Sequence, residues 1–235
     1  MASHRGEWVI FLDADDDVEE GFIHARWQTA IKTQADVVIF NAWRTGFGTS
    51  RFAVHTKRPY AQPLSGHEWI RHFVTHRELP HYLWLQIVRS SYIRDNELCF
   101  QTGKSHKDIL WTVNLAVGDG RFYLLDVKDY SYRINAASIT HRCDYYDVRA
   151  QSYIDVITEI IRLAELRSNK SVRLFLHRHA LREARHFLGL YRNHAHDKAG
   201  LKASFRRSIS TVSLASGISS ISDGFFLLKL WTKLL

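Results

Sequence analysis

Residues 7–17 of this 235-residue chain read Glu-Trp-Val-Ile-Phe-Leu-Asp-Ala-Asp-Asp-Asp, an apolar run that ends in four carboxylates within five residues. The run at residues 8–12 is rich in β-branched and aromatic side chains, which predicts a buried β-strand. Carboxylates this close together repel one another and raise one another's pKa unless a cation offsets them. The stretch therefore predicts a strand that places a cluster of negative charge at one edge of a sheet.

Two explanations fit the acidic cluster. Asp13 and Asp15 project to the same side of an extended segment, and carboxylate oxygens suit Mg²⁺ or Mn²⁺. The carboxyl ends of strands are also the edge where open α/β sheets bind their ligands. The alternative is that the acidic turn caps the helix predicted at residues 21–32, because Glu19 and Glu20 would favour its N-terminus.

Four segments resemble, in order, the conserved blocks of family 2 glycosyltransferases, which have the GT-A fold. The first is residues 5–16, with Gly-Glu-Trp before the strand and Asp-Ala-Asp-Asp after it. The second, residues 84–100, begins Trp-Leu-Gln-Ile-Val-Arg, and the third is Lys-Asp-Ile-Leu-Trp at residues 107–111. The fourth, residues 130–140, reads Tyr-Ser-Tyr-Arg-Ile-Asn-Ala-Ala-Ser-Ile-Thr. Any one block is a weak signal, whereas four in the right order are specific.

The resemblance implies an inverting glycosyltransferase that uses a nucleotide sugar, most simply a UDP-sugar, and a saccharide or lipid-linked acceptor. Its setting would be bacterial surface-polysaccharide or lipopolysaccharide synthesis at the cytoplasmic face of the membrane. The implied fold is α/β, a partial GT-A (Rossmann-like) mixed sheet followed by a helical C-terminal region. Asp13 and Asp15 would hold a divalent metal, Mg²⁺ or Mn²⁺, and Asp13, Arg133 and His141 would approach the donor diphosphate.

The chain departs from the family pattern in two places. Lys107 stands where the family has the first residue of an acidic Glu-Asp pair, so Asp108 alone would inherit the role of that pair. The metal motif also opens the chain, whereas in the family a nucleotide-binding half precedes it. We therefore expect residues 1–141 to be an amino-terminally truncated catalytic domain that does not bind UDP or turn over a UDP-sugar by itself. The alternative is a non-catalytic remnant, or a basic module that binds an anion or a membrane.

Asp108 has two interpretations. Ser105 precedes it by three residues, and an apolar helix is predicted at residues 109–117, a pattern that also fits a capping box. The resemblance instead places the catalytic base at this helix start, where the helix dipole favours an ionised carboxylate.

For three further side chains, a purely structural role is the alternative to a role in binding. The guanidinium of Arg133 offers a bidentate fork to phosphate oxygens, although a surface strand residue fits equally well. Trp84 and Trp111 could stack on a sugar ring, but tryptophans in apolar runs are more often part of the core.

Positive charge is concentrated in the C-terminal part. Residues 1–141 hold 16 Lys and Arg against 16 Asp and Glu, whereas residues 142–235 hold 16 against 8. Apolar spacing of three and four predicts helices at residues 153–164 and 171–192. We therefore divide the chain into a catalytic domain at residues 1–141, a basic helical region at 142–208 and a tail at 209–235.

The basic region has four possible explanations. It could face anionic lipids, an acidic substrate such as a phosphorylated saccharide, or only solvent. Nucleic acid is not expected as a partner, because the sequence has no recognised nucleic-acid-binding motif. Its crowded histidines, residues 177–196, lack metal-ligand spacing, and most of them are expected to be partly exposed helix residues.

The tail combines a Ser-rich stretch, residues 209–222, which reads as a flexible connector, with an apolar segment at residues 225–235. As a helix, this segment places Lys229 and Lys233 together, which suits either the membrane interface or docking on the protein's own core. Cys99 and Cys143 read as free thiols of a reducing cytoplasm, because two cysteines cannot form a disulfide framework.

Overall fold

The computed structural model describes residues 4–45, 50–57, 61–78, 81–100, 107–133 and 145–234. They divide into two compact units. The first unit contains Met1–Phe100 and Trp111–Ala136, and the second contains Gln101–Leu110 and Ala137–Leu235.

The first unit is an α/β layer structure built on two sheets. Its strands are β1 (Trp8–Ile10), β2 (Asp17–Val18), β3 (Val37–Phe40), β4 (Trp43–Thr45), β5 (Arg51–Ala53), β6 (Pro63–Ser65), β7 (Gln86–Arg89), β8 (Arg121–Leu125) and β9 (Tyr130–Arg133). Its helices are α1 (Phe22–Thr33), α2 (Gly66–His76) and α3 (Ser90–Asp95), with α4 (Lys107–Val117) beginning in the second unit. The strand order is β1-β7-β3-β8-β6 in one sheet and β2-β9-β4-β5 in the other.

The centre of the larger sheet is the parallel pair β3 and β8, with Val37 opposite Phe122 and Phe40 opposite Leu125. All four residues of β3 are buried. A strand covered on both faces reads as a continuous apolar run, and residues 37–40, Val-Val-Ile-Phe, form such a run. From apolarity alone the sequence predicts a strand at residues 36–41, and the structure confirms it.

The strand in front of the acidic cluster occupies an edge of this sheet. β1 pairs antiparallel with β7, and among the described residues its other edge has no strand partner. Its residues are half-buried, and Leu12 beyond it is exposed. The strand predicted at residues 8–12 is therefore present but only half-buried, and its single neighbour among the described residues runs antiparallel to it.

The smaller sheet fixes the segment that follows the acidic cluster. β2 pairs antiparallel with β9, and β9 runs parallel to β4. Asp17 lies opposite Ser131, and Val18 lies opposite Tyr130. The strand that directly follows the first sequence block therefore pairs with the strand that begins the fourth block.

The second unit is helical. It contains α5 (Tyr145–Glu165), α6 (Lys170–Asn193), α7 (Lys198–Ser208), α8 (Thr211–Ala215) and α9 (Ile221–Leu234). Asn169 caps α6 by accepting hydrogen bonds from the backbone N–H groups of Ser171 and Val172, at 3.0 and 3.3 Å. Apolar faces of α5 and α6 pack together, and Ile154, Ile157, Leu176 and Ala184 are fully buried. The two predicted helices and the turn between them are confirmed.

The stretch interpreted as a flexible connector is folded. Helix α8 lies within it, and Leu214 of that helix is fully buried. At Gly217 an added Cβ would lie 2.3 Å from the backbone oxygen of His177, so the chain approaches α6 too closely for any other residue. Serines at residues 210 and 220 cap helices here, which is why a Ser-rich stretch was mistaken for a linker.

Candidate active site

The acidic loop, residues 13–17, is held against β9 through Asp16. Its carboxylate accepts a hydrogen bond of 2.6 Å from the Tyr130 hydroxyl and one of 2.9 Å from the backbone N–H of Arg133. The Tyr130 hydroxyl in turn accepts a bond of 3.4 Å from the backbone N–H of Asp13. Burial of the ring and its bond to Asp16 raise the pKa of Tyr130, so it remains a donor. One tyrosine thus fixes the shape of the loop.

Asp13 and Asp15 differ from their neighbours. Within the described part of the chain, neither side chain makes a hydrogen bond or ion pair, whereas Asp16 is bonded to β9 and Asp17 pairs with Arg133. Partial desolvation, then the charges of Asp16 and Asp15, raise the pKa of Asp13. The loop therefore carries negative charge that the protein leaves without a counter-charge. Two free carboxylates in such a field fit a divalent cation.

The helix-capping explanation of the acidic cluster is wrong. Helix α1 begins after Gly21, which adopts φ 76°, and no side chain caps it. No acidic residue lies in its first turn, because Glu19 and Glu20 precede Gly21.

Arg133 lies at the acidic loop but is already engaged. Its guanidinium pairs with Asp17, and both side chains are more than half exposed. The structure therefore supports both descriptions of Arg133, a surface strand residue and a cation beside the proposed metal loop. Contact with a diphosphate would require the pair with Asp17 to open.

A stack of aromatic rings packs against Tyr130, the residue that holds the acidic loop. The ring of Trp84 lies 4.4 Å from that of Tyr130 and is nearly parallel to it, while Tyr82 stacks on the same indole at 4.8 Å. Trp84 is 3% exposed and Trp111 is 1% exposed, so both are core residues rather than sugar-stacking surfaces. The alternative of a structural role, which the apolar surroundings indicated, is the correct one.

A buried ion pair ties α1 to the chain leading into β9. Arg26 is fully buried and pairs with Asp129 in a bidentate manner, and its Nη1 also donates a 2.8 Å bond to the carbonyl of Phe22. The guanidinium lies over the rings of Phe22 and Phe40, at 3.7 and 4.1 Å from their centroids. Sequence reasoning missed this pair, since an arginine on an amphipathic helix gives no sign of burial.

Asp108 lies in the second unit, in the first turn of α4, and is half-buried. Burial raises the pKa of its carboxyl, while bonds from the backbone N–H groups of Ile109 and of Asp108 itself, and the charge of Arg149, lower it. The carboxylate thus uses its position at the helix start and also has the raised pKa that suits a proton acceptor. Ser105, its proposed capping partner, and His141 lie outside the described residues.

Helices α5 and α6 bring further titratable groups close to Asp108. Glu183 is 2% exposed, and its burial raises its pKa to about 8, with Asp108 adding to the rise and Arg182 opposing it. The Nδ1 atom of His179 lies 3.3 Å from a carboxylate oxygen of Glu183. His177 and His179 are buried, whereas the other three histidines of this region are exposed, so the expectation that most of them are partly exposed is confirmed with these two as exceptions. Residues two apart lie on different sides of a helix, so α6 is covered on more than one side at these positions.

Comparison with known proteins identifies the fold. No family model matches the chain. An uncharacterised glycosyltransferase of Escherichia coli K12, YibD, is 26% identical over 162 residues, which are 66% of this chain and 47% of that protein. The structure of TarS 1–349 of S. aureus in complex with UDP-GlcNAc matches with a TM-score of 0.66 at 14% identity, covering 99% of this chain and 65% of that one. The same protein without ligand matches with a TM-score of 0.65 at 16% identity, covering 99% and 64%.

The chain has a glycosyltransferase fold of the GT-A type. It spans about half the length of the curated relative and about two thirds of the solved one, so it corresponds to part of each. The α/β class, the mixed sheet and the helical C-terminal region that the motifs implied are confirmed. None of the helices among the described residues is long and apolar enough to span a membrane.

Proposed function

We propose that this chain is the acceptor-side part of an inverting glycosyltransferase that uses a nucleotide-sugar donor. The fold and the related sequence support the class of enzyme, and TarS was solved with UDP-GlcNAc and with UDP. The proposal depends mainly on one observation, which is that only two of the four carboxylates in the acidic loop have bonding partners among the described residues. Asp16 and Asp17 are bonded to β9, while Asp13 and Asp15 are left free beside them.

Asp13 and Asp15 would hold the metal, Mg²⁺ or Mn²⁺. Their free oxygens and the raised pKa of Asp13 fit a divalent cation, which relieves the repulsion inside the loop. A divalent ion bound there would stabilise the negative charge that develops on a diphosphate leaving group. Arg133 would contact the same diphosphate after its pair with Asp17 opens.

Asp108 would act as the general base. It would take the proton of an acceptor hydroxyl while that oxygen bonds to the anomeric carbon on the face opposite the leaving diphosphate. The bond to the diphosphate oxygen breaks in the same step, so the configuration inverts. A pKa raised by burial, yet held down by Arg149 and by the helix start, lets this carboxylate be ionised at neutral pH and still accept a proton.

Helix α9 would hold the enzyme at a bacterial membrane, where surface polysaccharides or lipopolysaccharides are assembled on lipid-linked acceptors. One face of α9 is docked, with Phe226, Leu230 and Leu234 buried at intervals of four residues. On the opposite face Phe225, Leu228 and Trp231 are 70%, 56% and 57% exposed. Core docking and an apolar outer face therefore coexist, and the exposed Lys229 and Lys233 beside that face suit anionic headgroups.

Manganese binding tests the proposal most directly. We expect Mn²⁺ to bind the 235-residue chain, and Asp15→Asn to weaken that binding by more than about tenfold, because one of two charged ligands is lost. Asp95→Asn removes an exposed carboxylate of α3 and should leave the affinity unchanged. Isothermal titration calorimetry measures all three proteins. Equal affinity in the wild type and in Asp15→Asn would remove the metal site and favour the non-catalytic alternative.

Vesicle binding tests the role of α9. Vesicles of phosphatidylglycerol and phosphatidylcholine should co-sediment with the protein and shift the Trp231 emission to shorter wavelength, as its indole leaves water. Phe225→Ser should weaken sedimentation, whereas Phe52→Ser, at an exposed phenylalanine of β5, should not. Identical sedimentation of the two variants would exclude α9 as the membrane contact.

A further inference from the structure

A pocket of about 250 Å³ opens in the second unit between α5 and α6. Arg149 and Tyr153 line it from α5, and Arg185, His186 and Gly189 line it from α6. His194 also lines the pocket, and its ring is stacked on that of Tyr146 at 4.4 Å. No residue of the pocket wall carries a carboxylate.

The charges in this wall are positive and only partly offset. Arg185 is engaged, since it donates a 2.7 Å bond to Asp223 and lies over the ring of Phe226. Arg149 forms no salt bridge among the described residues, although its charge lowers the pKa of Asp108, and its Nη1 donates a long bond of 3.4 Å to the Tyr145 hydroxyl. Desolvation and the charges of Arg149 and Arg182 lower the pKa of His186. A cluster of cations that depresses a neighbouring imidazole fits an anion.

Gly189 contributes no side chain to the wall of the pocket. It lies within α6, about one turn before the helix ends at Asn193, and glycine inside a helix is unfavourable relative to alanine. An added Cβ would meet nothing within 4 Å, so no packing contact in the structure requires glycine at this position. The lack of a side chain keeps the space between Arg149 and His186 open.

The pocket adjoins the proposed catalytic base. Arg149 lowers the pKa of Asp108, and it also forms a side-chain hydrogen bond with Tyr153. Burial raises the pKa of Tyr153, and the charges of Glu183 and Asp108 add to the rise. Arg149 and Tyr153 therefore line the pocket and also interact with Asp108, within the same unit.

We propose that this pocket binds a phosphate group carried by the acceptor and so positions the acceptor next to Asp108. The assignment to the acceptor rests on the proposed function, in which Asp108 is the base and the donor diphosphate belongs to the acidic loop. A planar guanidinium and an imidazole present several donors to phosphate oxygens, and a bound anion would interact favourably with the charge of Arg149 and would favour the charged form of His186. The substrate class is then a phosphorylated saccharide or a saccharide phosphate polymer.

The His186 imidazole reports occupancy of the pocket. NMR titration of the 235-residue chain gives the pKa of His186 alone and with inorganic phosphate, glucose 1-phosphate or glucose at constant ionic strength. Both phosphates should raise the pKa of His186 in a saturable way, because an anion favours the charged ring, and glucose should have no effect. His67, whose Nδ1 lies 3.3 Å from Asp119 in the first unit, is the internal control and should not respond.

Three variants locate the binding. Arg149→Gln should weaken glucose 1-phosphate binding by more than about tenfold through loss of charge-assisted bonds. Gly189→Gln fills the pocket with a better helix former, so it should abolish binding without lowering the melting temperature. Arg206→Gln removes an exposed arginine of α7 and should change the affinity by less than about twofold.

The following results would overturn either the inference or the proposed function. Wild-type affinity in Arg149→Gln or Gly189→Gln would exclude the pocket, as would a His186 pKa that does not respond. Binding of inorganic phosphate without glucose 1-phosphate would exclude a phosphorylated saccharide, and UDP binding more than about tenfold tighter than glucose 1-phosphate would assign the pocket to the donor. Loss of Mn²⁺ binding with retained phosphate binding would refute the proposed enzyme while leaving an anion site, so the two failures are distinguishable.

Discussion

The acidic loop of the first unit and the basic pocket of the second show the same principle with opposite charge. In the loop, Asp16 and Asp17 have partners on β9, whereas Asp13 and Asp15 do not. In the pocket, Arg185 pairs with Asp223, whereas Arg149 and His186 have no carboxylate partner among the described residues. In each region, some charged side chains are therefore bonded within the protein, and the others form no salt bridge among the described residues.

The comparison separates structural charge from functional charge. A compensated buried charge is costly to disturb, because removing one partner leaves the other without water or a counter-ion. An uncompensated cluster is itself unfavourable in the folded protein, and a ligand of opposite sign relieves it. Substitutions of the two kinds of residue should therefore have different effects, on stability in one case and on binding or turnover in the other.

The largest effect on stability is expected at Arg26. Arg26→Met leaves the carboxylate of Asp129 in a mostly buried position without its partner, which should cost about 3 to 5 kcal/mol of the free energy of unfolding. Chemical denaturation measures this loss. Arg162→Met is the matched control, because Arg162 pairs with Glu159 at the surface of α5 and should cost less than about 1 kcal/mol. Equal losses would mean that burial does not distinguish the two pairs.

The largest effect on turnover is expected at Asp108. Asp108→Asn keeps the shape of the side chain and an oxygen for the backbone N–H groups, but it cannot accept a proton. Sugar transfer should fall by at least about 100-fold, while the free energy of unfolding changes by less than about 1 kcal/mol. The assay uses this chain or, where it is inactive, a chain that includes the upstream coding sequence. Retained turnover with lost stability would make Asp108 a helix cap only.

Glu183 should give the second unit a pH dependence of stability. Its pKa is raised from 4.5 to about 8, so the folded protein keeps a proton that the unfolded chain releases. The stabilisation is complete below pH 4.5 and falls as the pH rises through 8. Glu183→Gln removes this fall and should be more stable than the wild type at pH 8 by roughly 1 to 3 kcal/mol. Glu165→Gln, at an exposed position of α5, should follow the wild type; parallel pH profiles of the wild type and Glu183→Gln would contradict the assignment.

The smallest effect on stability is expected at Arg133, which pairs with Asp17 and is also proposed to contact the donor diphosphate. Arg133→Gln breaks an exposed pair with Asp17 and should cost less than about 1 kcal/mol. If Arg133 also contacts the donor diphosphate, KM for the nucleotide sugar should rise while stability hardly changes. Arg51→Gln, an exposed residue of β5, serves as the control. An unchanged KM would leave Arg133 as a structural partner of Asp17.

Much of the fold was accessible from sequence because the signals are local. Residues 37–40 read as a buried strand on apolarity alone, and the spacing of Ile154, Ile157 and Ile161 predicted α5. Local signals misled where one residue type has two uses. Serines that cap helices resembled those of a linker.

For the candidate site, the sequence predicted several of the residues but not the contacts between them. The motifs nominated Asp13, Asp15, Asp108 and Arg133, but they gave no role to Tyr130, which holds the acidic loop through Asp16. Glu183 and Arg149 were invisible as neighbours of Asp108, because they come from helices that the motifs do not cover. Whether those four residues act as the motifs imply stays a prediction.

The amino-acid sequence by itself determined the order of the strands and helices, the family resemblance and the excess of positive charge after residue 141. These features depend on residues a few positions apart, so hydrophobic period and motif spacing express them. Only the tertiary structure decided which charges are neutralised. Asp16 accepts a hydrogen bond from Tyr130, and Arg26 pairs with Asp129, each across more than 100 residues of chain, while Asp13 and Arg149 form no salt bridge among the described residues. Electrostatic energy depends on distance and burial in the folded protein, and no local pattern specifies either.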